Sequence, residues 1–404
     1  MCLISKVKKM TMMMLMLMLM ILPTITAVRL FHTNSLQHQQ ISNALPLSAV
    51  NTTCPCSDST LCNLIQGNPI RKSGEVFGFI NIQETDPASL NWTHISTVAW
   101  ASSPEFMCAA HKHGARAVIS SPSLDLSELH NRTKRKEWVQ TAVSKVVTGY
   151  YDGMVFDYES PQLHGSQAAQ TYAQVISDTR AALHAVSSSY QISTCVAWSP
   201  DNIDGRDYPM NALALASDLL YVMDYDTRSQ IFDACIASAN APVAGMIRGI
   251  QRYLDLGIDA AKLVLGTPWY GYHYPCLEGT ALSDRYCPIK SVPFRGVNCS
   301  DAAGNELDFS LIRNLFHSSN LTTSPVRRDT NMRAPFFNAM STKVKGNVDQ
   351  YWYDDAEDLR YKYAWARANN LGGVGPYCLN MLAANTIPEE AVEVWSSLDE
   401  YIVL

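Results

Sequence analysis

The sequence has little charge and no surplus of the basic kind. Charged residues fill 17% of its 404 positions, and 31 Lys and Arg face 37 Asp and Glu, for a net charge of −6. Without a basic surplus there is no surface suited to phosphates, which argues against nucleic acid as a partner. Beyond the first 22 residues no apolar run reaches the roughly 20 residues that a membrane-spanning helix needs. No internal repeat occurs, and no low-complexity tract follows the Met/Leu run at the start. Zinc-type spacing is missing as well: Cys54-Pro55-Cys56 lacks the usual two-residue gap, and no paired histidine motif accompanies it.

What is present is a large apolar fraction, 47%, enough for one sizeable core. The chain opens with Lys6, Lys8 and Lys9, an apolar block from Met12 to Leu22, then Pro23 and Ala27. This reads as a signal peptide over residues 1–27, since the block is shorter than a membrane anchor requires. A polar spacer over 28–53 follows, and the folded domain is expected over 54–404. Of eleven cysteines, Cys2 lies in the leader. The remaining even set (Cys54, Cys56, Cys62, Cys108, Cys195, Cys235, Cys276, Cys287, Cys299 and Cys378) points to disulfides and an exported chain. Asn-x-Ser/Thr sequons at Asn51, Asn91, Asn131, Asn298 and Asn320 are possible glycan sites.

From Cys54 onward, short β-branched or aromatic runs alternate with stretches of helical period, the pattern of parallel βα units. Strands are predicted at Val76–Ile80, Thr97–Trp100, Ala115–Ile119, Gly153–Asp157, Ile192–Ala197, Leu219–Met223, Leu263–Gly266 and Gly373–Tyr377. Eight such units predict an α/β fold, a (β/α)8 TIM barrel. Val139, Val143, Val146, Val147 and Tyr150 recur at helical spacing, as do Ala168, Tyr172, Val175, Ile176, Ala182, Leu183 and Val186; both sets predict helices packed on the barrel. The interval between strands seven and eight is too long for one helix and carries Cys276, Cys287 and Cys299. It predicts an inserted subdomain over about 270–352.

The segment Asp152-Gly153-Met154-Val155-Phe156-Asp157-Tyr158-Glu159 ends a predicted buried strand. Residues two apart in a strand share a face, so Asp157 and Glu159 are expected to point together into the barrel mouth, about 6–7 Å apart. Two acids in one dry site repel each other, so one should keep its proton near neutral pH and be able to act as a general acid. The alternative is that they cap a loop or pair with Arg or Lys elsewhere. Active sites of such barrels lie at these strand ends, which favours chemistry.

The segment resembles the D-G-x-D-x-D-x-E signature of the chitinase-like glycoside hydrolase family eighteen, with Val155 in place of the middle acid. Met223-Asp224-Tyr225-Asp226 resembles the family's M-x-Y-D. Within the family, the di-N-acetylchitobiase branch is the most similar. The likeness is carried in order by C-P-C at Cys54, V-A-W-S-P from Val196, S-Q-I at Ser229 and A-N-A-P from Ala239. It continues through P-W-Y-G-Y from Pro268, V-P-F-R-G from Val292 and R-A-P at Arg333. At the eighth strand Tyr377 stands where family members usually have Trp.

The resemblance implies hydrolysis of β-1,4-linked N-acetylglucosamine, from the chitobiose core or chito-oligosaccharides, exo-acting from the reducing end; a sugar-binding lectin and an endo-chitinase are the other readings. It implies Glu159 as acid, Asp157 orienting the substrate's acetamido N–H, and Tyr225 holding its oxygen. Asp226, Met223 and Tyr377 would contact sugar. The sequence offers no opposing nucleophile carboxylate, which fits the substrate-assisted retaining route, in which the acetamido oxygen attacks the anomeric carbon. No metal or organic cofactor is needed. A monomer is expected, lysosomal or secreted, free of the membrane once the leader is removed.

Overall fold

The computed structural model describes residues 53–69, 74–83, 85–227, 234–383 and 385–402. The leader, nearly all of the spacer, the Asn51 sequon and the S-Q-I segment lie outside the described residues. Seven parallel strands come first: β1 (Glu75–Phe79), β2 (Thr97–Ala99), β3 (Arg116–Ser120), β4 (Gly153–Phe156), β5 (Gln191–Ala197), β6 (Leu219–Met223) and β7 (Leu263–Pro268). Five more, β8 (Tyr270–Pro275), β9 (Asn305–Asp308), β10 (Arg327–Asp329), β11 (Ala334–Met340) and β12 (Val348–Trp352), form a separate antiparallel sheet in the order β10-β11-β12-β8-β9. The last strand, β13 (Gly373–Tyr377), pairs with both β7 and β1 and closes an eight-stranded barrel. The expected TIM barrel and its insertion after the seventh strand are both present. The antiparallel sheet inside the insertion was not foreseen.

Strand alternation sorts the core into two layers. Val76, Val98, Ile119, Met154, Phe156, Ile192, Val196, Val222, Leu265 and Val374 face outward to the helices. Phe77, Phe79, Val118, Val155, Cys195, Tyr221 and Val264 fill the barrel. The helix Arg132–Thr148 starts at Asn131, whose side chain accepts from the amides of Thr133 and Lys134. It buries Val139, Val143 and Val146 as the spacing predicts, with Val147 at the margin. The helix Gln167–Val186 buries Tyr172, Val175, Ile176 and Leu183, but its period ends at the barrel: Val186 is exposed and Ala168 and Ala182 are only partly covered.

The cysteines depart from the even-set expectation. Four disulfides form, Cys54–Cys62, Cys56–Cys108, Cys235–Cys299 and Cys276–Cys287. Cys195 and Cys378 are buried and free. The reason is topological: Cys195 lies on β5 and Cys378 follows β13, with β6 and β7 between them in the barrel. The sulfurs of Cys54, Cys56 and Cys62 lie within 4.8 Å of one another, yet all three are disulfide-bonded, which leaves no thiolate for a metal. Among the described residues no helix is long and apolar enough to cross a membrane.

Candidate active site

Strand β4 sets the geometry. Gly153 lies so close to β5 that a Cβ there would sit 1.8 Å from the Gln191 carbonyl oxygen, and its φ of +156° also disfavours a side chain. From this start the strand alternates, Val155 inward and Met154 and Phe156 outward. Asp157, one residue past the strand end, inherits the inward parity of Val155 and faces the barrel mouth.

The two acids meet unlike surroundings, which revises the expectation of a shared dry site. Asp157 Oδ1 is buried with no hydrogen-bond partner among the described residues. Burial and then the charge of Glu159 push its carboxyl up to about 7, against Arg206 and the nearby Cys195 thiol. The Glu159 side chain is 52% exposed and accepts from Arg206 Nη1 at 2.6 Å. Arg206 is buried and also donates to Asp204 Oδ2 at 3.1 Å. Pairing with an arginine from elsewhere, the alternative to a free acid pair, is therefore what Glu159 does in this state.

Strand β6 carries the second group. Met223 ends the strand inside the barrel cluster. Tyr225 is buried and stacks on Tyr377, with ring centroids 5.2 Å apart at 25°. Its hydroxyl lies near that of Tyr221, which donates to the Gly375 carbonyl at 2.7 Å. Asp226 adopts a left-handed backbone, φ 53°. Its Oδ1 accepts from the hydroxyls of Tyr270 at 2.6 Å and Tyr272 at 3.1 Å, both on β8 of the insertion. Burial raises the Asp226 carboxyl to about 7 against the Tyr270 hydrogen bond, and the nearby charges of Glu306 and Asp301 add to the rise. Asp226 thus ties the insertion to the barrel mouth, with one oxygen already engaged.

Tyr377 also borders a cleft of about 330 Å³ lined by Ile80, Asn81, Trp100, Ser102 and Met381. The structure therefore brings Asp157, Glu159, Tyr225, Asp226 and Tyr377 to the mouth, while Met223 packs within the wall. Sequence reasoning missed Arg206, Trp100 and the tyrosines holding Asp226. The Arg206 segment, N-I-D-G-R, carries no local signal of its partner 47 residues away; Asn202 and Asp204 both take left-handed φ there. The flat aromatic rings suit the face of a sugar, and a proton held on one acid beside a second, paired acid suits proton transfer.

Comparison with known proteins agrees with this fold. Glycosyl hydrolases family 18 matches residues 76–381. A probable di-N-acetylchitobiase 2 of Dictyostelium discoideum is 39% identical over 337 residues, 81% of this chain and 86% of that protein. The di-N-acetylchitobiase of Homo sapiens is 34% identical over 355 residues, 87% of this chain and 89% of its own length. Among solved structures, a class V chitinase mutant from Nicotiana tobaccum in complex with NAG4 superposes with a TM-score of 0.62 at 15% identity, over 80% of this chain and 99% of that one. Such identity speaks for the fold alone. The barrel, the acids ending its fourth strand and the family match together place this chain in glycosyl hydrolase family 18, among the glycosidases.

Proposed function

We propose that the protein hydrolyses β-1,4-linked N-acetylglucosamine by substrate-assisted retaining catalysis, releasing sugar from the reducing end. The observation that carries this reading is the asymmetry of the two acids: Asp157 keeps a proton up to about pH 7, while Glu159, two residues on, is held by Arg206. The pair then shares one proton. A substrate entering the barrel mouth displaces Glu159 from Arg206, and the proton passes from Asp157 to Glu159. Glu159 gives it to the glycosidic oxygen as that bond breaks, and the substrate's acetamido oxygen bonds to the anomeric carbon, forming an oxazolinium ion. Asp157, now ionised, accepts from the acetamido N–H, and Tyr225 turns its hydroxyl from Tyr221 to the acetamido oxygen. Glu159 then takes a proton from water, which attacks the anomeric carbon and restores the acetamido group.

Exo action is supported by the insertion. Arg295 reaches from it to the backbone carbonyls of Glu159, at 3.4 Å, and Asp204, at 3.5 Å. The Cys235–Cys299 disulfide pins the same loop. A loop in contact with the acid's own backbone limits the room beyond the leaving sugar. Four disulfides favour an oxidising compartment, and a site protonated up to about pH 7 suits an acidic one, so we assign the protein to the lysosome or the exterior. One observation favours a sugar-binding protein without turnover: Glu159 is occupied by Arg206.

The test is incubation with N-acetylglucosamine oligomers of two to five units at pH 5, resolving product size and anomer. Single sugars released from the reducing end, with the β-anomer formed first at the newly exposed end, are expected. Internal cleavage would replace the exo assignment by an endo one, the α-anomer would refute retention, and binding without cleavage would leave a lectin.

A further inference from the structure

Val155 leaves the wall of the barrel beneath Asp157 without an acid. Its partners across the sheet are Ser120 on β3 and Ser193 on β5, the latter donating to Gln191 Oε1 at 3.5 Å, and in the same inner cluster the Tyr221 hydroxyl is already spent on Gly375. A buried carboxyl in such a setting needs a donor from another strand. The register supplies one. Val155 pairs with Ser193 and Phe156 with Thr194, so the next step sets Asp157 opposite Cys195 on β5. Cys195 belongs to the same inner layer as Val155, is 3% exposed and is not disulfide-bonded. Its thiol lies close enough to the Asp157 carboxyl to influence its charge.

We infer that Cys195 is a positioning residue, whose S–H donates to the buried Oδ1 of Asp157 and so turns the other oxygen toward the substrate's amide. This rests on the catalytic role proposed for Asp157. Burial, with Asp157 beside it, holds the thiol well above its usual range, so it stays S–H and acts as donor. The other groups facing Asp157 are Glu159 on the same segment, Arg206 after β5, Tyr172 from the helix Gln167–Val186 and Tyr377 on β13. Of these, only Arg206 joins the thiol in favouring the charged carboxylate. A thiol is a weak donor. It orients the carboxyl without driving off its proton at rest, and strengthens once that proton moves to Glu159.

The experiment compares Cys195→Ala, Cys195→Ser and Asp157→Asn with the wild type, measuring kcat, KM and melting temperature on N-acetylglucosamine oligomers across pH 4–9. Cys195→Ala should lower kcat on the order of tenfold with KM little changed, the size expected from losing one orienting hydrogen bond. Its basic limb should move to higher pH, because a donor favouring the carboxylate is gone. Cys195→Ser, which keeps a donor, should recover most of kcat and the wild-type limb. Wild-type kcat and pH profile in Cys195→Ala, with Asp157→Asn impaired, would overturn the inference alone. Equal losses in Ala and Ser variants that track their melting temperatures would also overturn it, leaving a packing residue. Wild-type turnover in Asp157→Asn would overturn the role of Asp157 and the inference with it.

Discussion

Two aspartates bracket strand β4, one at each end of the barrel, and the protein treats them in opposite ways. At the bottom, Asp152 is fully buried and fully partnered. Its Oδ2 accepts from His111 Nε2 at 2.7 Å and the Ala117 amide at 2.7 Å, and its Oδ1 from the Ile65 amide at 2.8 Å. His111 Nδ1 faces the Leu61 carbonyl at 2.6 Å, so both ring nitrogens meet acceptors, an arrangement that favours the doubly protonated ring. Burial opposes that charge, but the Asp152 hydrogen bond and charge outweigh it and raise His111. At the top, Asp157 is buried with Oδ1 unpartnered and its proton retained up to about pH 7. Where a buried carboxylate has all its partners it fixes the fold; where one is withheld, the group is left able to exchange a proton. The division matches the roles of the two faces of such barrels.

That contrast can be broken most sharply at the bottom. Asp152→Ala would strand a buried imidazolium and two amides, and is expected to cost about 3–5 kcal/mol of stability, the range for breaking a buried pair. Urea denaturation measures it, while kcat of the folded fraction should stay within about twofold of wild type. Unchanged stability, or turnover lost from folded protein, would erase the distinction between the two ends. A smaller effect sharpens the comparison from the top. The carboxyls of Asp157, Asp224 and Asp226 are raised to about 7 and that of Asp358 to about 8, in each case first by burial. Raised carboxyls stabilise the fold below their ordinary value, near 3.8, relative to higher pH, and this advantage is lost as pH climbs through the folded values. The raised His111 acts in the same direction. Melting temperature should therefore fall by several degrees from pH 5 to pH 8. In Asp157→Asn the fall should be shallower. A melting temperature that rises over this interval would contradict the assignment of these groups.

The barrel was legible because its strands are short β-branched or aromatic runs alternating with stretches of helical period, and most predicted strand ends fall within one or two residues of those observed. The candidate site was legible where chemistry and periodicity coincide, at Asp157 and Glu159 on one strand end, while Tyr225 on another was legible only through the family resemblance of its segment. The predicted strand already put Asp152, the motif's opening acid, at the bottom of the barrel, but not its partner: His111, 41 residues earlier, is brought to it only by the closed fold. Arg206 and the tyrosines on Asp226 were hidden for the same reason. Cysteine parity misled because it counts residues without knowing that β6 and β7 separate Cys195 from Cys378.

The most direct test of the catalytic account is Glu159→Gln, which keeps the shape of the side chain and removes its proton. Turnover of N-acetylglucosamine oligomers should fall on the order of 10²-fold or more, with oligomer binding and melting temperature retained. Turnover near that of the wild type would contradict the assignment of Glu159 as the acid.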